Sequence, residues 1–161
     1  MLTAFSAYAV RALALLAVQP GKWVRIATLA EELRLPRPTL AKILHYLGRK
    51  GLVETQRGRG GGVRLTRDPA SISMYEVLEM VDEPFLKSIC LLGFPECGYE
   101  NPCALHTFWD NIKQTIFDHL RRTTLADIAA VHHAGSVTNE EAERQWRAFA
   151  QNSELRGRDA R

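Results

Sequence analysis

Between Thr28 and Arg49 the chain carries two short amphipathic helical patterns that meet across a tight turn, Leu35-Pro36-Arg37. The first pattern starts near Thr28, where Thr28 with Glu31 has capping-box spacing, and ends near Arg34. The second opens with Pro38 in its first turn, where a missing N–H costs nothing. Leu40, Ile43, Leu44 and Leu47 form its buried stripe, and Thr39, Lys42, His45, Tyr46 and Arg49 line the opposite side. Two short helices joined by a three- or four-residue turn are the helix-turn-helix arrangement, whose second helix is presented to a DNA major groove.

The flanking segments complete a head around this unit. Phe5, Tyr8, Ala9, Ala12, Leu13 and Leu16 recur at helical spacing over Thr3 to Val18, and Pro20-Gly21 ends that helix. Val24 to Ile26 reads as a short strand. Leu52 to Gln56 and Val63 to Thr66 form a hairpin pattern around Arg57-Gly58-Arg59-Gly60-Gly61-Gly62, in other words a wing. This segment lacks the G-x-G-x-x-G spacing of a dinucleotide fingerprint. Its glycines let the tip approach a phosphate backbone, and Arg57 and Arg59 suit a narrow minor groove.

Ser73 and Glu76 form a second capping box ahead of Met74, Val77, Leu78 and Val81, a short helix ending near Asp82. Residues 84–104 lack periodicity. From about Pro102 a long helix resumes, with Leu105, Trp109, Ile112, Ile116 and Leu120 on one stripe. That stripe is more apolar surface than a monomer needs, so the helix reads as a dimerisation element. The expected fold is mainly α with a small β-hairpin wing. A winged helix-turn-helix head spans 1–82, a cysteine-rich loop 83–104, the long dimer helix 105–134, and a polar tail 135–161.

Charge is divided along the chain. Residues 1–67 carry 12 Lys/Arg against 3 Asp/Glu, a net of +9, whereas residues 68–137 carry 4 against 10, a net of −6. Only the first part is therefore suited to a polyanion. Arg37, Thr39, Lys42, His45, Arg49, Arg57 and Arg59 are the candidate DNA contacts. The longest apolar stretch, Ala12 to Val18, is too short to span a bilayer, and no signal peptide is evident. Three cysteines without a secretion signal point to reduced thiols in the cytoplasm. Nothing forms a catalytic constellation or predicts a small-molecule substrate. His119, His132 and His133 read as surface or packing residues, and neither Asp82-Glu83 nor Glu140-Glu141 lies in a pocket pattern.

All three cysteines, Cys90, Cys97 and Cys103, fall within 14 residues, and His106 follows at C-x-x-H spacing. Three thiols and an imidazole are a ligand set for a soft metal or an iron–sulfur cluster. Cys103 and His106, three apart, are expected on one helical face. A Cys3His zinc site is the first alternative, and a thiol group without metal the second. The C-x2-C pairs of zinc knuckles are absent, and gaps of six and five residues favour a cluster. Imidazole ligation favours 2Fe–2S over 4Fe–4S.

With these residues in view, the chain resembles the bacterial winged-helix regulators of the IscR/NsrR type. The resemblance covers residues 1 to about 130. It rests on Tyr8-Ala9-Val10-Arg11-Ala12-Leu13, Gly51-Leu52-Val53 leading into the wing, Ile72 to Asp82, the three-cysteine loop and Thr124-Leu125-Ala126-Asp127-Ile128 closing the long helix. It implies a homodimer swapped through its long helices, with Cys90, Cys97 and Cys103 as cluster thiolates and His106 as the fourth ligand. Other branches take a carboxylate from the partner's first helix, where this chain has Ala7 and Tyr8. The expectation is a homodimeric regulator of redox, nitric oxide or iron–sulfur status on a palindromic double-stranded operator. In it, cluster change reorders residues 84–106 and tilts the reading head. The same head with zinc or no metal, controlled by a protein partner, is the alternative. A small redox protein is a third reading, disfavoured because it has no use for a helix-turn-helix.

Overall fold

The computed structural model describes residues 2–81, 86 and 90–133. Helix α1 (Ala4–Ala17) is capped by Thr3, whose hydroxyl accepts from the Ser6 N–H at 3.2 Å. Ala9, Ala12 and Leu13 are fully buried, because α1 runs through the middle of the head and touches α2, α3, α4, the hairpin and the last helix.

Helix α2 (Ile26–Leu33) starts three residues earlier than its capping-box spacing suggests. Thr28 lies within the first turn, and the N-cap is Arg25 with no side-chain cap. The Val24 backbone instead exchanges two 2.9 Å hydrogen bonds with Val63, so the expected strand is one bridge that hands the chain to α2. At the other end Arg34 takes the left-handed conformation, φ 51°. That geometry costs a non-glycine residue about 1 kcal/mol, and it turns the chain sharply into α3.

Helix α3 (Arg37–Arg49) buries Leu40, Ile43, Leu44 and Leu47, as its periodicity requires. The hairpin pairs β1 (Val53–Gln56) with β2 (Gly62–Leu65) in antiparallel register, Val53 opposite Leu65. Gly62 is held by close approach: a Cβ there would sit 2.2 Å from the Val24 carbonyl oxygen. Gly61 meets the Gln56 carbonyl in the same way. These two glycines therefore serve the hairpin's own packing, while Arg57 and Arg59 project at an exposed tip.

After a 3-10 turn at Pro69–Ser71, the Ser73 hydroxyl caps α4 (Met74–Met80) by accepting from the Glu76 N–H at 3.1 Å. The Glu76 carboxylate turns away to pair with Arg67, so the box is half formed. The long helix begins at His106 rather than Pro102: α5 spans His106–Arg122. It does not continue through residues 124–128. Thr123 breaks it in an extended conformation, and Thr124 with Asp127 forms a reciprocal capping box that starts α6 (Leu125–His133). The Met74 N–H donates to the Thr123 carbonyl and the Leu125 N–H to the Ile72 carbonyl, at 2.8 and 2.9 Å. Leu125, fully buried, joins the core with Ala129 against α1.

The stripe expected on the long helix is only half covered. Trp109, Ile112, Ile116 and Leu120 are half-buried and Leu105 is exposed, while His106, Lys113 and Phe117 are buried, Phe117 with its ring on Tyr75 of α4. Among the described residues no helix is long and apolar enough to cross a membrane. The pair Asp82-Glu83, Glu140-Glu141 and the tail from 135 lie outside the described residues, as do the side chains of His132 and His133.

Candidate metal centre and nucleic-acid interface

The cysteine loop is a run of tight turns. Gly93 N–H donates to the Cys90 carbonyl, Cys97 N–H to Phe94, and His106 N–H to Cys103, at 3.2, 3.2 and 2.9 Å. Gly93 sits at φ 73°, a conformation that favours glycine. Successive turns fold the chain back on itself and bring the three sulfurs within 4.8 Å of one another. None is in a disulfide. Cys90 and Cys97 are buried and Cys103 is half-buried.

His106 adjoins this triad through one member. Its Nδ1 lies 3.4 Å from the Cys97 sulfur, its ring stacks edge-on with Tyr99, and its Nε2 is buried with no hydrogen-bond partner among the described residues. Cys103 lies in the turn before α5, so the two residues share a turn rather than a helical face. Tyr99, which sequence reading passed over, holds the edge-on contact with the imidazole, and its hydroxyl donates to the Asp110 carboxylate at 3.3 Å. Asp110 sits four residues after His106, a helical spacing that was available as a signal.

The thiols do not ionise alike. Burial opposes the Cys90 thiolate, yet hydrogen bonds from the backbone of Phe94 and Leu92 and from the other two thiols outweigh it and lower its pKa. For Cys97 the backbone at Cys103 favours the thiolate, but burial and the neighbouring thiols together raise its pKa. Charge on one sulfur thus resists charge on the next. A bound soft cation removes that opposition. The donor set, together with the orphaned His106 nitrogen, fits a thiophilic metal or an iron–sulfur group.

In the head, Arg37, Thr39, Lys42, His45 and Arg49 are all exposed on α3. Tyr46 departs from that line. It is half-buried, its ring stands edge-on to Phe5 at 5.1 Å, and its hydroxyl donates to the Met80 carbonyl at 3.1 Å. An aromatic ring beside Leu47 gains more from α1 and α4 than from water. The wing is stiffened at its base, where the Arg64 guanidinium lies 4.4 Å from the Trp23 ring centre and its Nε bonds Glu54 at 2.6 Å.

Known proteins match both parts. The regulator NsrR of Bacillus subtilis is 36% identical over 109 residues, covering 62% of this chain and 74% of its own. IscR of Vibrio vulnificus is 30% identical over 141 residues, 87% of this chain and 83% of its own. The solved structure of CymR, the global cysteine regulator of B. subtilis, superposes with a TM-score of 0.68 over 81% of this chain and 97% of its own, at 22% identity, and shows the winged-helix fold. A profile for Rrf2, described as iron-dependent transcriptional regulator, matches residues 2–131. With its helix-turn-helix, wing and clustered thiols, the chain belongs to the Rrf2 family of DNA-binding transcriptional regulators.

Proposed function

We propose that the chain is a homodimeric sensor of redox, nitric oxide or iron–sulfur status, acting through an iron–sulfur cluster held by Cys90, Cys97, Cys103 and His106. The observation that carries this reading is the convergence of three undisulfided sulfurs within 4.8 Å beside a buried imidazole. When bound, such a cluster supplies a centre whose charge and integrity change with oxidants and nitric oxide. Imidazole in the ligand set favours 2Fe–2S.

The chain's own residues offer a route from that site to DNA. Ligands drawn to one centre fix residues 90–106 onto the start of α5. Helix α5 packs on α4, with Phe117 edge-on to Tyr75 at 5.5 Å, and α4 ends at Met80, which Tyr46 ties to α3. Release of the loop therefore loosens the support behind the recognition helix. Thr39, Lys42 and His45 face the major groove, Arg37 and Arg49 approach the backbone, and Arg57 and Arg59 reach the adjacent minor groove. The half-covered face of α5 supports an isologous dimer, which places two heads on a palindromic operator in the cytoplasm.

Anaerobic purification followed by absorption spectroscopy and iron and sulfide analysis tests the cluster. A reddish-brown protein with both elements, and a colourless Cys97→Ala variant, are expected. The same sulfurs suit a single tetrahedral zinc, and stoichiometric zinc without iron or sulfide would replace the cluster reading. His106→Ala should leave the dimer intact by sedimentation while shortening cluster lifetime.

A further inference from the structure

Buried Cys97 and half-buried Cys103 border a groove at the surface of the loop. Cys97 and Cys103 form part of its wall, and Glu96 and Glu100 stand at its exposed edge. The remaining lining, Phe94, Asn101 and Pro102, brings no cation. This groove also lies in the half of the sequence with net charge −6. Anything small that reaches the sulfurs by this path passes two carboxylates.

We infer that Glu96 and Glu100 screen access to the thiol site by charge, admitting neutral reagents and slowing anions of similar size. The inference rests on the sensor reading for its meaning, since it selects which signals arrive. Nitric oxide, oxygen and hydrogen peroxide are neutral and pass, whereas superoxide and other small anions are held back. The range of the effect is set by screening, with a Debye length of about 10 Å at 0.1 M salt. Both carboxylates belong to residues adjoining the groove's own thiols in sequence, one immediately before Cys97 and one three residues before Cys103.

The test uses the full chain, reduced and free of metal, with two alkylating agents of like size. The thiolate sulfur displaces iodide from iodoacetamide, which is neutral, or from iodoacetate, which is an anion. A carbon–sulfur bond forms, the carbon–iodine bond breaks, and iodide leaves with the electron pair. Both reagents need the thiolate, so the ratio of their rates cancels any change in thiol ionisation. The neutral-to-anion rate ratio should fall about fivefold at low ionic strength in the Glu96→Gln/Glu100→Gln variant. The difference between the two proteins should collapse near about 0.5 M salt, where the Debye length is only a few ångström. Glu54→Gln, on the wing, should leave the ratio unchanged. An unaltered ratio in the double variant, or a change that persists at high salt, would overturn the screen. The measurement reads the thiols alone, so a chain found to carry zinc would end the cluster reading and leave this result standing.

Discussion

The Tyr46 hydroxyl donates to the Met80 carbonyl at 3.1 Å, which fastens the C-terminal part of the recognition helix to the last residue of α4. Met80 stands ten residues before Cys90, the first thiol of the loop. Tyr46 therefore leaves the DNA-facing line on which its helical position would place it, and under the proposed function it is a candidate for the coupling between site and head. Tyr46→Phe keeps the ring against Phe5 and removes only the hydrogen bond. Thermal unfolding should report a loss of about 1 kcal/mol. The ratio of operator affinities between cluster-loaded and metal-free protein should also shrink toward one. A variant with that ratio intact would remove Tyr46 from the route.

Helix α6 closes the head from behind. Leu125 is fully buried against α1, so Leu125→Ala should cost about 2–5 kcal/mol in chemical denaturation. A loss well below 1 kcal/mol would mean that α6 is not part of the cooperative core.

The Asp127 carboxylate accepts from the Thr124 N–H and hydroxyl at 2.8 and 2.7 Å, and these bonds hold its pKa below the usual carboxylate value. A depressed folded-state pKa contributes stability above the unfolded value of about 3.9 and loses it as pH falls through the folded value. Asp127→Asn should thus be less stable than the parent at neutral pH, and the gap should close below about pH 4. A gap independent of pH would assign the effect to packing rather than charge.

Much of this was legible in the sequence, for definable reasons. The buried stripe Leu40, Ile43, Leu44 and Leu47, the Ser73 cap and the existence of the hairpin all follow from periodicity and local chemistry, and the structure bears them out. The cysteine group was visible because its three residues are close along the chain. What stayed hidden depends on tertiary partners. Thr28 is a good cap by spacing, but the Val24–Val63 bridge decides where α2 starts. Thr124 and Asp127 had capping spacing too, yet an apolar pattern on both sides read as one continuous helix. Tyr46 looked polar and outward, although its ring had Phe5 to meet.

On the DNA side, Arg59 sits at the exposed wing tip and Thr39 and Lys42 on the exposed side of α3. Arg59→Ala should weaken binding to operator and random duplex alike and reduce the salt slope by about one. Thr39 or Lys42 substitutions should instead alter the preference among operator variants. If Arg59→Ala leaves both affinity and slope unchanged, the wing does not reach the backbone.

The central claim is that occupancy of the thiol site sets the grip of the head on DNA. Fluorescence anisotropy with one palindromic operator, at fixed salt, on cluster-loaded and metal-free protein measures it directly. The account predicts affinities that differ severalfold to about a hundredfold, a coupling of about 1–3 kcal/mol. Equal affinities in the two states would contradict it.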